Sequence, residues 1–267
     1  MRAEDLLKPT SSGPFCPLGD FSIDPVRPVD RAVITHAHSD HARPGHRAVL
    51  ATVETLDLMR LRYGEGFAGT TQAVAYGETV RLGRVAVTFH PAGHVLGSAQ
   101  IAVEAGGMRI VASGDYKDVA DPTCLPFAPI PCDVFITEAT FGLPVFRHPD
   151  PQTEIARLLE SVRLFPERAH LVGAYALGKA QRVIALLRQA GYDKPIHLHG
   201  ALEAITRYYA GRNIDLGELR LVRDAAKAEL AGTIALCPPA SLQDRWTRRF
   251  PDPILAFASG WMRVRAR

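Results

Sequence analysis

Two patterns of apolar and polar positions divide this chain. In the first half the apolar runs are short. Residues 32–35 form a compact apolar run that predicts a buried strand, and it feeds straight into His36-Ala37-His38-Ser39-Asp40-His41. Thr52 is placed to cap a helix over 53–64, with Leu56, Met59 and Leu61 on or near one face and Gly64 as its stop. From 72 to 113 short β-rich runs follow one another at 73–76, 85–89, 99–103 and 109–112. Gly77, Gly83, Gly106 and Gly107 punctuate them, as expected of hairpins and meanders. A further strand at 134–137 ends at Glu138, and residues 1–30, rich in Pro and Gly, predict irregular structure.

After about residue 150 helix and strand alternate. Helices are predicted at 152–165, 178–189, 201–210 and 240–250, and strands at 171–174, 196–199, 233–237 and 254–258. Such alternation predicts a parallel sheet with helices on its faces. The sequence therefore reads as an α/β protein with two regions, a β-meander half carrying the His-rich loops and an α/β segment after it.

Composition adds limits. At 267 residues the chain is long enough to bury a full core without staples, and 47% apolar with 22% charged residues excludes disorder and coiled coil as the overall class. The net charge of +3 is too mild to establish a nucleic-acid partner. Only five of the 31 basic residues are Lys, and the last 23 residues carry Arg245, Arg248, Arg249, Arg263, Arg265 and Arg267, a candidate backbone-binding surface or an ordinary solvated face. Cys16, Cys124, Cys132 and Cys237 form no CxxC pair and read as reduced, mostly buried thiols. With no apolar leader and no run long enough to span a membrane, a cytoplasmic location without a membrane partner is expected.

The chemistry concentrates at strand ends. In extended chain, His36 and His38 point the same way and can bite one metal together, while Asp40 and His41 follow in a turn. Imidazole and carboxylate donors suit zinc, and also manganese or iron. His94, between Gly93 and Gly97, and Asp115, after Ser113-Gly114, lie in loops after strands, where a rigid sheet aims functional residues. Gly178-Lys179 opens a helix after a strand, so free backbone amides and Lys179 could hold a phosphate; a plain strand-to-helix turn fits as well. His197 and His199 alternate on one strand and read as core or cleft lining rather than a third metal site.

Five segments carry a family resemblance: THAHSDH (35–41), PAGHVLGSAQI (91–101), SGDYK (113–117), TEATFG (137–142) and YALGKAQ (175–181). In this order they resemble the metallo-β-lactamase-fold nucleases of the β-CASP group, and the segment from Phe15 to His46 is most similar to bacterial DNA-ligase-associated exonucleases, described as mRNA 3′-end processing factor-like. The resemblance implies an αββα metallo-β-lactamase sandwich over 1–149, an inserted α/β β-CASP cassette over 150–258, and a return to the first domain at 259–267 whose C-terminal closing part is missing. It implies that His36, His38 and His94 hold one zinc, Asp40 and His41 a second, and that Asp115 bridges them. Asp24 would orient the His loop by hydrogen bonds, and Glu138 would support a catalytic His or ligand.

The implied reaction is phosphodiester hydrolysis by a di-zinc-activated hydroxide, with Asp40 also orienting the nucleophile and manganese an alternative metal. DNA is favoured over RNA, in exonucleolytic end processing and DNA repair beside a DNA ligase. The alternatives are an RNA 3′-end processing ribonuclease of the same fold, and a nucleic-acid-binding module with an incomplete second metal site, since no His follows His199.

Overall fold

The computed structural model describes residues 1–263, so Arg265 and Arg267 of the basic end lie outside the described residues. Contacts divide the chain into two compact units, Met1–Glu138 and Ala139–Arg267. No helix of the described residues is long and apolar enough to cross a membrane.

The first unit opens with a short helix α1 (Ala3–Leu6), then β1 (Phe15–Cys16), β2 (Phe21–Ile23), β3 (Arg31–Val33), β4 (His46–Thr52), helix α2 (Val53–Tyr63) and β5 (Ala68–Val74). The meander follows as β6 (Thr79–Leu82), β7 (Val85–Pro91), β8 (Ala99–Ala105), β9 (Met108–Ala112) and β10 (Val134–Ile136). β1 to β5 form one sheet in sequence order, antiparallel only at β1–β2. The other sheet runs β10-β9-β8-β7-β6, antiparallel except at β10–β9.

Period-two alternation explains how the sheets meet. Val85, Val87 and Phe89, with Ile101, Val103 and Ile110, share one core with Phe21, Ile23, Val33 and Leu50 of the first sheet. The other face of β3 and β4 presents Ala32, Val49 and Ala51, which pack with Leu56 and Met59 of α2. β3 and the second half of β4 are thus buried on both faces, which suits the apolar run that marks β3 in the sequence.

Thr52 caps α2 by accepting from the Thr55 amide at 3.2 Å, and Gly64, at φ 84°, ends it. Leu61 departs from the expected face and is 46% exposed. Five residues along, it lies roughly 140° round the helix from Leu56 and so off the buried stripe.

The second unit has helix α3 (Pro151–Leu164), β11 (His170–Gly173), α4 (Lys179–Gln189), β12 (Ile196–Leu198), α5 (Glu203–Ala210), β13 (Leu219–Leu221), β14 (Ile234–Cys237) and β15 (Ile254–Phe257). Its five strands are all parallel, in the order β13-β12-β14-β11-β15. The helix expected at 240–250 is instead two 3-10 segments, Pro239–Gln243 and Arg245–Arg249. Asp244 between them is extended, and its carboxylate accepts from the Arg245 amide at 2.6 Å, restarting the turn rather than continuing it. The irregular N-terminal stretch contains β1 and β2, and β4, β6 and β13 are further strands that the pattern did not single out. All four cysteines are free thiols; Cys16 and Cys237 are buried, Cys124 and Cys132 only partly so.

Candidate metal centre

Three loops of the first unit converge at strand ends. After β3, Ile34 and Thr35 lead into the His loop, which folds back tightly as the His41 and Ala42 amides both donate to the His38 carbonyl, at 3.1 and 2.7 Å. After β7, the His94 loop is pinned from inside and outside. The amides of His94 and Val95 donate to Ser98 Oγ at 3.1 and 3.2 Å, and the hydroxyls of Thr52 and Thr55 reach the Gly97 carbonyl at 2.7 and 3.0 Å. After β9, Gly114 takes φ 56°, and a Cβ there would stand 2.7 Å from the Thr35 side chain. Glycine thus lets the Asp115 loop press against the root of the His loop.

Four donors meet there. His36 Nε2 lies 3.0 Å from His38 Nδ1, which lies 3.1 Å from His94 Nε2. Asp115 Oδ2 is 3.8 Å from His36 Nε2 and 3.6 Å from His94 Nε2. Among the described residues, His36, His38, His94 and Asp115 are the group whose ligand atoms all lie close enough, within 4.8 Å of one another, to hold a metal. Tetrahedral zinc with bonds near 2.0–2.1 Å sets its donors roughly 3.3 Å apart, so these separations fit one ion.

Electrostatics prepare the same set. Burial drives the fully buried His36 ring well below its usual range, reinforced by the neighbouring His41, His38 and His94. Burial lowers His94 in the same way. Both rings are therefore neutral near pH 7, the form that binds metal. Burial alone would raise Asp115, but the hydrogen bond and charge of His41 outweigh it and hold the carboxyl below its ordinary value.

His41 stands beside this group. Its Nε2 is 3.2 Å from Asp115 Oδ1 and 3.8 Å from Asp40 Oδ2, and its Nδ1 is 2.8 Å from Asp24 Oδ2. Asp115 therefore turns one oxygen to the His36 group and the other to His41. Burial would lower the His41 ring, yet its hydrogen bonds to Asp115 and Asp24 push it up to about 10. Asp40 sits on the rim, its side chain largely exposed. Asp24, at φ 44°, accepts from the Thr35 amide at 2.8 Å and from Thr35 Oγ1 at 2.6 Å.

The other expected positions have surroundings of their own. The Glu138 amide donates to Ser113 Oγ at 3.4 Å, at the end of β10. Lys179 begins α4, but the amides around it are paired within the chain: Gly178 to Gln181 Oε1 at 2.8 Å, Lys179 to Leu177 O and Ala180 to Tyr175 O at 3.1 Å. The free amides expected there are thus taken by the turn itself. His197 is buried in β12, while His199 Nδ1 accepts from the Ala201 amide at 3.0 Å. Sequence reasoning missed Thr35, Ser98 and Arg62, whose guanidinium donates to the Ala37 carbonyl between His36 and His38. Thr35 and Ser98 stand inside motifs already noticed; Arg62 had no local signal.

Loops at sheet ends thus gather three imidazoles and a carboxylate into a group that could hold a metal ion. No protein-family model matches the chain. A protein of Opitutus terrae named "Probable DNA ligase" is 29% identical over 259 residues, 94% of this chain and 24% of that protein. A ribonuclease of Thermus thermophilus is 30% identical over 205 residues, 66% of this chain and 46% of that one. The cleavage and polyadenylation specificity factor subunit 3 of Dictyostelium discoideum is 31% identical over 144 residues, 52% of this chain and 18% of that one. The chain spans less than half the length of each of these three relatives. These relatives are members of the metallo-β-lactamase-fold β-CASP nuclease family, and this chain is similar to them.

Proposed function

We propose that this chain is a metal-dependent phosphodiester hydrolase acting on nucleic acid, with DNA ends as substrate and exonucleolytic removal as the mode. The observation that carries this reading is the convergence of His36 Nε2, His38 Nδ1, His94 Nε2 and Asp115 Oδ2. These four would hold one zinc or manganese ion. Asp40 and His41, with the second oxygen of Asp115, would hold another. A divalent ion bound there supplies water activation near neutral pH and neutralises charge on a phosphoryl oxygen.

The chain's own groups do the rest. Asp24 holds the His loop through Thr35 and His41. Asp40, on the exposed rim, orients the attacking water and takes its proton. Glu138 supports the Asp115 loop from the end of β10. In the sandwich assigned to the metallo-β-lactamase fold, α2 is one outer layer. We assign residues 150–258 to the β-CASP cassette, with Lys179 as a contact to a substrate phosphate.

The preference for DNA rests on the Opitutus relative, whose name is that of a ligase and whose chain is about four times the matched length. It makes a DNA ligase the favoured partner. The ribonuclease and endoribonuclease names of other relatives favour RNA as the second reading. End-labelled single-stranded DNA and RNA of one sequence, each incubated with zinc, with manganese and with chelator, separate the two. Metal-dependent shortening of DNA from one end is expected; preferential cleavage of RNA transfers the assignment to RNA processing, and equal products with chelator contradict both.

A further inference from the structure

Thr35, 1% exposed, is bonded on every polar atom. Its amide donates to Asp24 Oδ1 at 2.8 Å and its carbonyl accepts from the Ala99 amide at 2.8 Å. Its hydroxyl lies 2.6 Å from Asp24 Oδ2 and 3.1 Å from His36 Nδ1. The amide and carbonyl bonds belong to the backbone and need no particular side chain. Valine has the same shape as threonine, so the fold alone does not ask for the hydroxyl.

The hydroxyl's two contacts have a direction. A threonine hydroxyl offers one hydrogen and two lone pairs, whereas a carboxylate has only lone pairs. The hydrogen therefore goes to Asp24, and the oxygen faces His36 as an acceptor. His36 must then carry its ring hydrogen on Nδ1. A neutral imidazole has one such hydrogen, so Nε2 is left with a lone pair, and Nε2 is the atom that faces His38, His94 and Asp115. The same Asp24 oxygen takes the Nδ1 hydrogen of His41 at 2.8 Å, which turns His41 Nε2 toward Asp115.

We propose that Thr35 is a positioning residue that relays Asp24 to His36, fixing the His36 ring as the Nδ1–H tautomer with Nε2 presented for metal. One carboxylate oxygen then orders a ligand on each side of Asp115, His41 directly and His36 through Thr35. The Asp115 loop is seated on the same side chain through Gly114, so a change at Thr35 reaches two of the three loops. The inference rests on the metal-centre reading for its purpose, though the tautomer is defined in the metal-free protein.

The test uses wild type, Thr35→Val, which deletes the hydroxyl at constant shape, and Thr35→Ser, which keeps it. Long-range 1H–15N correlations on histidine-labelled, metal-free protein report the His36 tautomer. Competition with a chromophoric chelator reports zinc affinity, and thermal unfolding reports folding. The hydrogen is expected on Nδ1 in wild type and Thr35→Ser and no longer fixed there in Thr35→Val. Zinc affinity is expected to fall ~10–100-fold in Thr35→Val, the range typical of partners behind a metal-binding histidine, and to stay close to wild type in Thr35→Ser.

A wild-type His36 with its hydrogen on Nε2 overturns the proposal whatever the variants do. So does Thr35→Val with an unchanged tautomer, or equal loss of zinc in Thr35→Ser and Thr35→Val, which would make the side chain's role packing. Wild-type protein that binds no zinc while showing the expected tautomers overturns the metal-centre reading, and with it the metal-presenting role, but leaves the relay itself.

Discussion

Replacing Asp24 by Asn isolates the charge at the root of the His loop. Asn has nearly the same volume and tolerates the left-handed φ of 44°. Its oxygen can still accept from the Thr35 amide, but its NH2 group then faces Thr35 Oγ1 and His41 Nδ1 where a carboxylate oxygen accepted at 2.6 and 2.8 Å. One donor can turn; the His41 ring meets another donor. Hydrogen bonds to a charged group are worth roughly 1.5–3 kcal/mol net, and both side chains are mostly buried, so screening is weak. Losing one and reversing the other should cost about 2–4 kcal/mol in the metal-free protein. Zinc should bind ~10–100-fold more weakly, or roughly 1.4–2.7 kcal/mol. Urea unfolding of metal-free protein reads the first quantity and chelator competition the second. An Asp24→Asn protein with wild-type unfolding midpoint and wild-type zinc affinity would refute the reasoning.

Other outcomes follow from the same geometry. His38→Ala should lose zinc and hydrolysis while circular dichroism stays native, since the residue is half-buried on a loop. Asp40→Asn should lose hydrolysis yet keep the ion at His36, His38 and His94, as metal content against turnover will show. Gly114→Ala should cost about 1–3 kcal/mol in thermal unfolding, because φ 56° and a Cβ 2.7 Å from Thr35 both oppose it. In metal-free protein, His36 and His94 are native with pKa values held down, so the unfolded chain takes up protons first and stability should fall as pH drops below 6.5. His41 works the other way: raised to about 10, it gives stability fully present below 6.5 and lost as pH rises through 10. His41→Gln should flatten the alkaline limb of urea midpoint against pH and leave the acid limb.

The site was legible where its ligands are neighbours in sequence. His36, His38 and His41 lie within six positions just beyond an apolar strand, so their spacing alone marks a shared site, although all three sit in the loop after β3 rather than in extended chain. Asp24, His94 and Asp115 entered as strand-end residues supported by resemblance, and their convergence depends on sheets that pair distant segments. Thr35 was read as part of a strand; its hydroxyl matters because Asp24, eleven residues back, folds onto it. Arg62 reaches Ala37 only because α2 packs on the face of β3 and β4, a tertiary fact with no local trace.

Fold errors have similar causes. β1 and β2 are two and three residues long and hide among Pro and Gly. Their regularity comes from neighbours rather than propensity. The segment 240–250 has helical composition, but Asp244 satisfies the next amide locally and breaks the run.

X-ray absorption at the zinc edge of zinc-loaded wild-type protein tests the central claim most directly. At one zinc per chain a light-atom first shell near 2.0 Å with the outer-shell scattering of about three imidazoles is expected, falling to about two per zinc once the Asp40 and His41 side is filled as well. Sulfur scatterers from the cysteines, a shell without imidazole, or zinc that washes out on dialysis would contradict it.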